Sequence, residues 1–170
     1  MRQSYLEHAK YYLRPGYIFV PGKPTLISVV LGSCVAVSLW DRRLEYGGMN
    51  HFLYPMVTDP QQATAQYGNV ATNTLIRLFL GTGSRIENLE AQILGGAAPA
   101  DGNGNNVNIG QQNVDMARSL VQVKGIRIAS QDVGGNKGRK AIYNSQTNEM
   151  IVIRVERLRQ SDWYPYRGER

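Results

Sequence analysis

The chain has 170 residues, 42% of them hydrophobic and 19% charged, a composition that excludes disordered and fibrous proteins and points to one compact domain. Nineteen Lys and Arg against thirteen Asp and Glu leave a formal net charge of +6. The single cysteine, Cys34, excludes an intrachain disulfide framework and fits a reducing compartment.

Residues 1–16 read as an appendage. Ser4-Tyr5-Leu6-Glu7 has the form of a capping box for a short helix, and Pro15-Gly16 stops it. From Tyr17 the pattern turns to short strands over 17–20, 26–31 and 35–39, punctuated by Pro21-Gly22 and Gly32-Ser33. Asp41-Arg42-Arg43 reads as a turn into a further strand over 46–53. Ala71, Leu75, Leu78 and Phe79 recur at helical spacing before Gly81 and Gly83, and Val114, Ala117, Leu120 and Val121 repeat that spacing before Gly125. Residues 91–94, 126–129 and 150–155 read as short apolar or β-branched runs. The expected fold is α/β in the α+β sense: a single domain over 17–155, with mixed β-sheets or a β-sandwich flanked by helices, and a basic tail over 156–170.

The positive charge invites a nucleic-acid reading, but it is dispersed. Lys137, Arg139 and Lys140 form one short cluster, while Glu156, Asp162 and Glu169 interrupt the arginines near the end. There is neither a run of five like charges nor an aromatic-interleaved RNA-binding signature. No stretch of 18 apolar residues could span a membrane, and the first ten residues lack the apolar region of a secretory signal, so the cytoplasm is the expected location. In the Asn- and Gly-rich segment 99–110, Asp101, Asn103 and Asn105 resemble the opening of a calcium loop. Asn106 and Gln112 fail the positions that make the turn and close the shell.

Cys34 is the one side chain of strong intrinsic nucleophilicity near neutral pH. A cysteine flanked by valines is commonly a small buried hydrophobe, but Gly32-Ser33 breaks the apolar run just before it and places it where a strand begins and a loop opens. A thiol nucleophile needs a base, nearly always an imidazole. Of the two histidines, His8 lies in the expected capping helix, whereas His51 lies in the strand-like run after Cys34. A hairpin of 35–39 with 46–53 could set the ring against the sulfur; a satisfied core histidine is the other reading. One Cys with one His falls short of a metal site.

These residues carry a resemblance. The run Leu31-Gly32-Ser33-Cys34-Val35-Ala36-Val37, with His51 seventeen residues after the cysteine in Gly-Gly-Met-Asn-His-Phe-Leu-Tyr-Pro, resembles the signature of the CheD family of chemoreceptor glutamine deamidases. Gly95-Gly96-Ala97, Asn108-Ile109-Gly110 with Asn113, and the stretch from Asp132 to Lys140 agree in order and spacing. The resemblance implies that Cys34 attacks a receptor glutamine carboxamide, ammonia leaves from a thioester, and water releases glutamate, with His51 as base and then acid and no cofactor. The family's third catalytic position, a Thr six residues before the cysteine, is Ser28 here, which keeps a hydroxyl able to orient the imidazole. Main-chain N–H groups near Ser33 and Cys34 are the expected oxyanion donors. Implied partners are the cytoplasmic helices of chemoreceptors, the only route to a membrane, and a CheC-type phosphatase. Lys137, Arg139 and Lys140 are candidates to meet acidic receptor helices.

Two other function classes stay open on the residues alone. A non-catalytic adaptor on the same fold would keep Cys34 as an inert buried thiol, slow to react with iodoacetamide at pH 6. A nucleic-acid binder would need affinity that falls steeply with salt.

Overall fold

The computed structural model describes residues 7–98, 108–156 and 158, and within them nine strands and two helices form one α+β domain in three layers. In chain order these are β1 (Ala9–Tyr12), β2 (Tyr17–Phe19), β3 (Thr25–Leu31), β4 (Val35–Asp41), β5 (Tyr46–Phe52), α1 (Gly68–Gly81), β6 (Leu89–Gly95), α2 (Ile109–Val123), β7 (Arg127–Val133), β8 (Gly138–Asn144) and β9 (Met150–Val155). A four-stranded sheet runs in the order β1-β3-β8-β9, and a five-stranded sheet in the order β2-β5-β4-β6-β7.

Strand β4 is the centre of the larger sheet, and all seven of its residues are buried, which explains the nearly unbroken apolar run Val35 to Trp40. Val35, Val37 and Leu39 face α1 and α2 and pack with Leu75, Phe79, Val114 and Val121. Ala36, with Met49 from β5 and Leu94 from β6, faces the smaller sheet and meets Ile27, Val29, Leu31 and Tyr143. Each helix buries one stripe. In α1 that stripe is Ala71, Thr72, Leu75, Ile76 and Phe79, and Leu78, expected within it, is exposed.

The opening of the chain differs from its sequence reading. The described part of it is a strand, β1, pairing parallel to β3 with Tyr12 opposite Ser28. Lys10-Tyr11-Tyr12 suits a pleated surface better than a helix: Tyr11 stacks on Phe19 with ring centroids 3.9 Å apart, and Leu13 is fully buried. Residues 9–13 thus belong to the domain. Ser4 and the calcium-like loop at 101–107 lie outside the described residues, as does the tail beyond Leu158.

Gly138–Asn144, which the sequence pattern left unassigned, is β8, paired with both β3 and β9. Its side chains alternate: Arg139, Ala141 and Tyr143 point inward and are buried, while Lys140 and Ile142 point outward.

Candidate active site

The chain passes from the small sheet to the large one at Gly32-Ser33-Cys34, a corner held on three successive carbonyls. Gly32 O accepts from the Ala97 N–H at 3.0 Å, Ser33 O from Asn113 Nδ2 at 2.9 Å, and Cys34 O from the Gly96 N–H at 2.9 Å. The Gly95-Gly96 pair makes this seat possible. Both residues have left-handed φ, +103° and +72°, and a Cβ at Gly95 would run into the Cys34 carbonyl oxygen. Ser33 is exposed and Cys34 half-buried, packed against the core between the sheets, so the corner reaches the surface beside the thiol.

The expected hairpin forms. β4 and β5 pair antiparallel with Ala36 opposite His51, so Cys34, two residues before Ala36, is the diagonal neighbour of His51 on the same face. Asn50, the residue before the histidine, points the other way. Its Oδ1 accepts the Val37 N–H at 2.9 Å and its Nδ2 donates to Thr72 Oγ1 at 3.2 Å, which anchors β5 to α1.

His51 is fully buried, and its Nδ1 lies 2.9 Å from the Leu13 carbonyl oxygen. A carbonyl can only accept, so Nδ1 carries the proton and Nε2 carries the lone pair in the neutral ring. Burial lowers the imidazole pKa to about 4, partly offset by the Leu13 bond. Burial likewise raises the Cys34 thiol to about 11, while its own backbone N–H, lying against the sulfur, pulls it back down. The resting pair is therefore thiol and neutral imidazole rather than thiolate and imidazolium. With both groups uncharged at pH 6, slow iodoacetamide labelling there is expected of an enzyme as well as of an adaptor, and only rapid labelling would tell against the adaptor.

The third expected residue stands elsewhere. Ser28 lies between the inward-facing Ile27 and Val29 and shares the outward face of the small sheet with its register partner, the exposed Ile142. Its hydroxyl makes none of the described hydrogen bonds, but its main chain is connected to the histidine. Ser28 O accepts from the Leu13 N–H at 2.9 Å, and Leu13 O receives His51 Nδ1. The orienting group is thus the Leu13 carbonyl, from a segment that the sequence reading set aside as an appendage.

The three basic candidates separate as well. Arg139 is 2% exposed, with Nε 3.2 Å from Asp132 Oδ1 and a guanidinium nitrogen donating to the Lys137 carbonyl at 2.9 Å, so it braces the sheets and offers no surface to a partner. Lys137 is half-exposed and 3.9 Å from Glu156, and Lys140 lies on the outward face between Val30 and Ile153.

Comparison with known proteins identifies the family of the chain. A family model described as CheD chemotactic sensory transduction matches residues 55–154. The chain is 33% identical over 153 residues to a probable chemoreceptor glutamine deamidase CheD of Sulfurimonas denitrificans, spanning 89% of this chain and 98% of that protein. It is 38% identical over 151 residues to the protein of the same name from Trichlorobacter lovleyi, spanning 89% and 94%. A third, probable chemoreceptor glutamine deamidase CheD 1 of Anaeromyxobacter dehalogenans, is 40% identical over 136 residues. A stretch covering 89% of the chain necessarily contains positions 34 and 51, although the family-model match begins beyond both.

Proposed function

The chain belongs to the CheD family, and on that footing we propose that it is a chemoreceptor glutamine deamidase of chemotaxis, converting receptor glutamine side chains to glutamate through a thioester on Cys34. The observation that carries the assignment of residues is the placement of Cys34 at an open corner of the fold, on the same face as His51 of the adjacent strand.

In this reading the Cys34 thiol gives its proton to His51 Nε2 as the sulfur attacks the carboxamide carbon. The C–N bond then breaks, and the imidazolium returns the proton to the departing nitrogen, which leaves as ammonia. Water enters beside Cys34, loses a proton to the same nitrogen and attacks the thioester carbon. The C–S bond breaks and the imidazolium returns its proton to the leaving sulfur, which frees the glutamate side chain and restores both the thiol and the neutral ring. Proton transfer coupled to attack suits a pair whose resting state is uncharged. The Cys34 N–H, the main-chain donor on the nucleophile itself, would stabilise the oxyanion of both tetrahedral intermediates.

A nucleophile at an exposed corner fits a substrate presented on the surface of another protein. The surface cleft bounded by Val20, Lys23, Pro24, Tyr46 and Gln146 contains neither Cys34 nor His51, so the chemistry does not sit in that depression. Lys137 and Lys140 are the basic residues left to meet acidic receptor helices and speed encounter. The receptors place the work in the cytoplasm, and a CheC-type phosphatase is the second partner.

Incubating the full chain with receptor cytoplasmic fragments and reading glutamine-to-glutamate conversion by mass spectrometry tests the proposal. Cys34→Ala is expected to abolish conversion. Conversion by that variant at the wild-type rate would remove the thioester route.

A further inference from the structure

Asn113 has so far been a member of a sequence block without a role in the reaction. It is fully buried on α2, and its Nδ2 donates to two carbonyls at once, Ser33 O at 2.9 Å and Leu53 O at 2.9 Å. Ser33 immediately precedes the nucleophile, and Leu53 follows the base by two residues. One amide group therefore joins the two segments that carry the chemistry, spending one proton on each. Its Oδ1 is buried with no hydrogen-bond partner among the described residues, a cost that an apolar side chain of similar size would avoid.

The consequence for Cys34 follows from the geometry of a peptide unit. In a trans peptide the C=O and the following N–H point in opposite directions within one rigid plane. Fixing the Ser33 carbonyl on Asn113 therefore aims the Cys34 N–H away from α2. The Gly32 and Cys34 carbonyls, held by Ala97 and Gly96, lock the planes on either side. We infer that Asn113 is a positioning residue: it sets the Ser33–Cys34 peptide plane so that the Cys34 N–H faces the sulfur and the developing oxyanion, and it fixes the spacing between that corner and the end of β5. Its part in turnover rests on the deamidase reading; its effect on the Cys34 sulfur does not.

The test uses the full chain with Asn113→Ala, Asn113→Ser, which keeps one donor, and Val114→Ala, which loosens the same helix without touching either carbonyl. Three quantities are read: melting temperature, the pH dependence of Cys34 alkylation by iodoacetamide, and kcat and KM on a receptor fragment. Asn113→Ala is expected to move the alkylation profile to higher pH and to lower kcat by about ten- to a hundred-fold with KM little changed, less than the loss of a direct oxyanion donor. Asn113→Ser should fall between Asn113→Ala and wild type, and Val114→Ala should lower the melting temperature while leaving the alkylation profile in place. The inference is overturned if the folded Asn113 variants alkylate with the wild-type profile, or if Val114→Ala shifts it equally. Should Asn113→Ala not fold, the Asn113→Ser profile against wild type decides alone. A wild-type chain that deamidates no receptor fragment would refute the proposed reaction, and the alkylation comparison would still decide the role of Asn113.

Discussion

Burial moves the two groups of the proposed reaction apart on the pH scale, the Cys34 thiol up to about 11 and the His51 imidazole down to about 4. The base must be neutral to accept the thiol proton, so kcat/KM should stay high on acidification through the ordinary histidine value of about 6.5 and fall only nearer to 4. A pH–rate profile on a receptor fragment checks this, and an acid limb centred on the ordinary value would place a different group in charge. Stability follows the same shift. Between about 4 and 6.5 the unfolded chain binds a proton at position 51 that the folded one does not, so His51 makes the fold lose stability as the pH falls through that window. Cys34 acts at the other end, where the unfolded thiol ionises first and stability declines as the pH rises from about 9 toward 11. Denaturant melts across pH should show the acid slope reduced in His51→Gln. That Cys34 and His51 come to one face was legible in the sequence, because a strand-like run and its antiparallel partner fix which residues share a face. Leu13 was not legible, since it acts through a main-chain carbonyl 38 residues away, and that leaves no side-chain signature.

Elements carry the next level. Asp132 on β7 accepts from Arg139 on β8 at 3.2 Å and from Arg154 on β9 at 3.1 Å, and so clips the large sheet to the small one beside the strand that follows the Gly134-Gly135 turn. Removing the buried partner leaves Asp132 with the exposed Arg154 alone and empties a core position, so Arg139→Ala should destabilise the fold by roughly 3 kcal/mol in denaturant melts, with Arg154→Ala costing less. Equal effects would mean that burial of Arg139 adds nothing. The sequence pattern hid this clip because Arg139 and Lys140 sit side by side in a basic cluster, and only the pleat of a strand separates an inward residue from an outward one. The same limit hid β8, whose first turns of pattern are polar. In contrast, β3 and β6 announced themselves as apolar runs closed by glycine, and β4 as the nearly unbroken apolar run of a strand covered on both faces.

At the scale of the whole molecule, the surplus of six positive charges sorts into structural and surface uses that composition could not separate. Arg139 is internal, while Lys137 is half-exposed just before β8 and Lys140 lies on the outward face of the small sheet. The α+β class and single domain were readable from the alternation of strand-like and helix-like runs. The assignment of strands to two separate sheets was not, because β1 and β8 both join the smaller sheet through long-range pairings.

The position of β4 has one more consequence. Cys34 immediately precedes β4 and His51 lies within β5, adjoining strands in the middle of a five-stranded sheet with a helix layer on one side and a second sheet on the other. A catalytic pair carried on a peripheral loop can be lost to local opening well before the rest of a protein melts. Here no such early failure is available, since separating β4 from β5 dismantles both cores at once. Heat inactivation of deamidation and loss of secondary structure by circular dichroism should therefore follow one curve, and activity lost several degrees earlier would show that the corner opens independently.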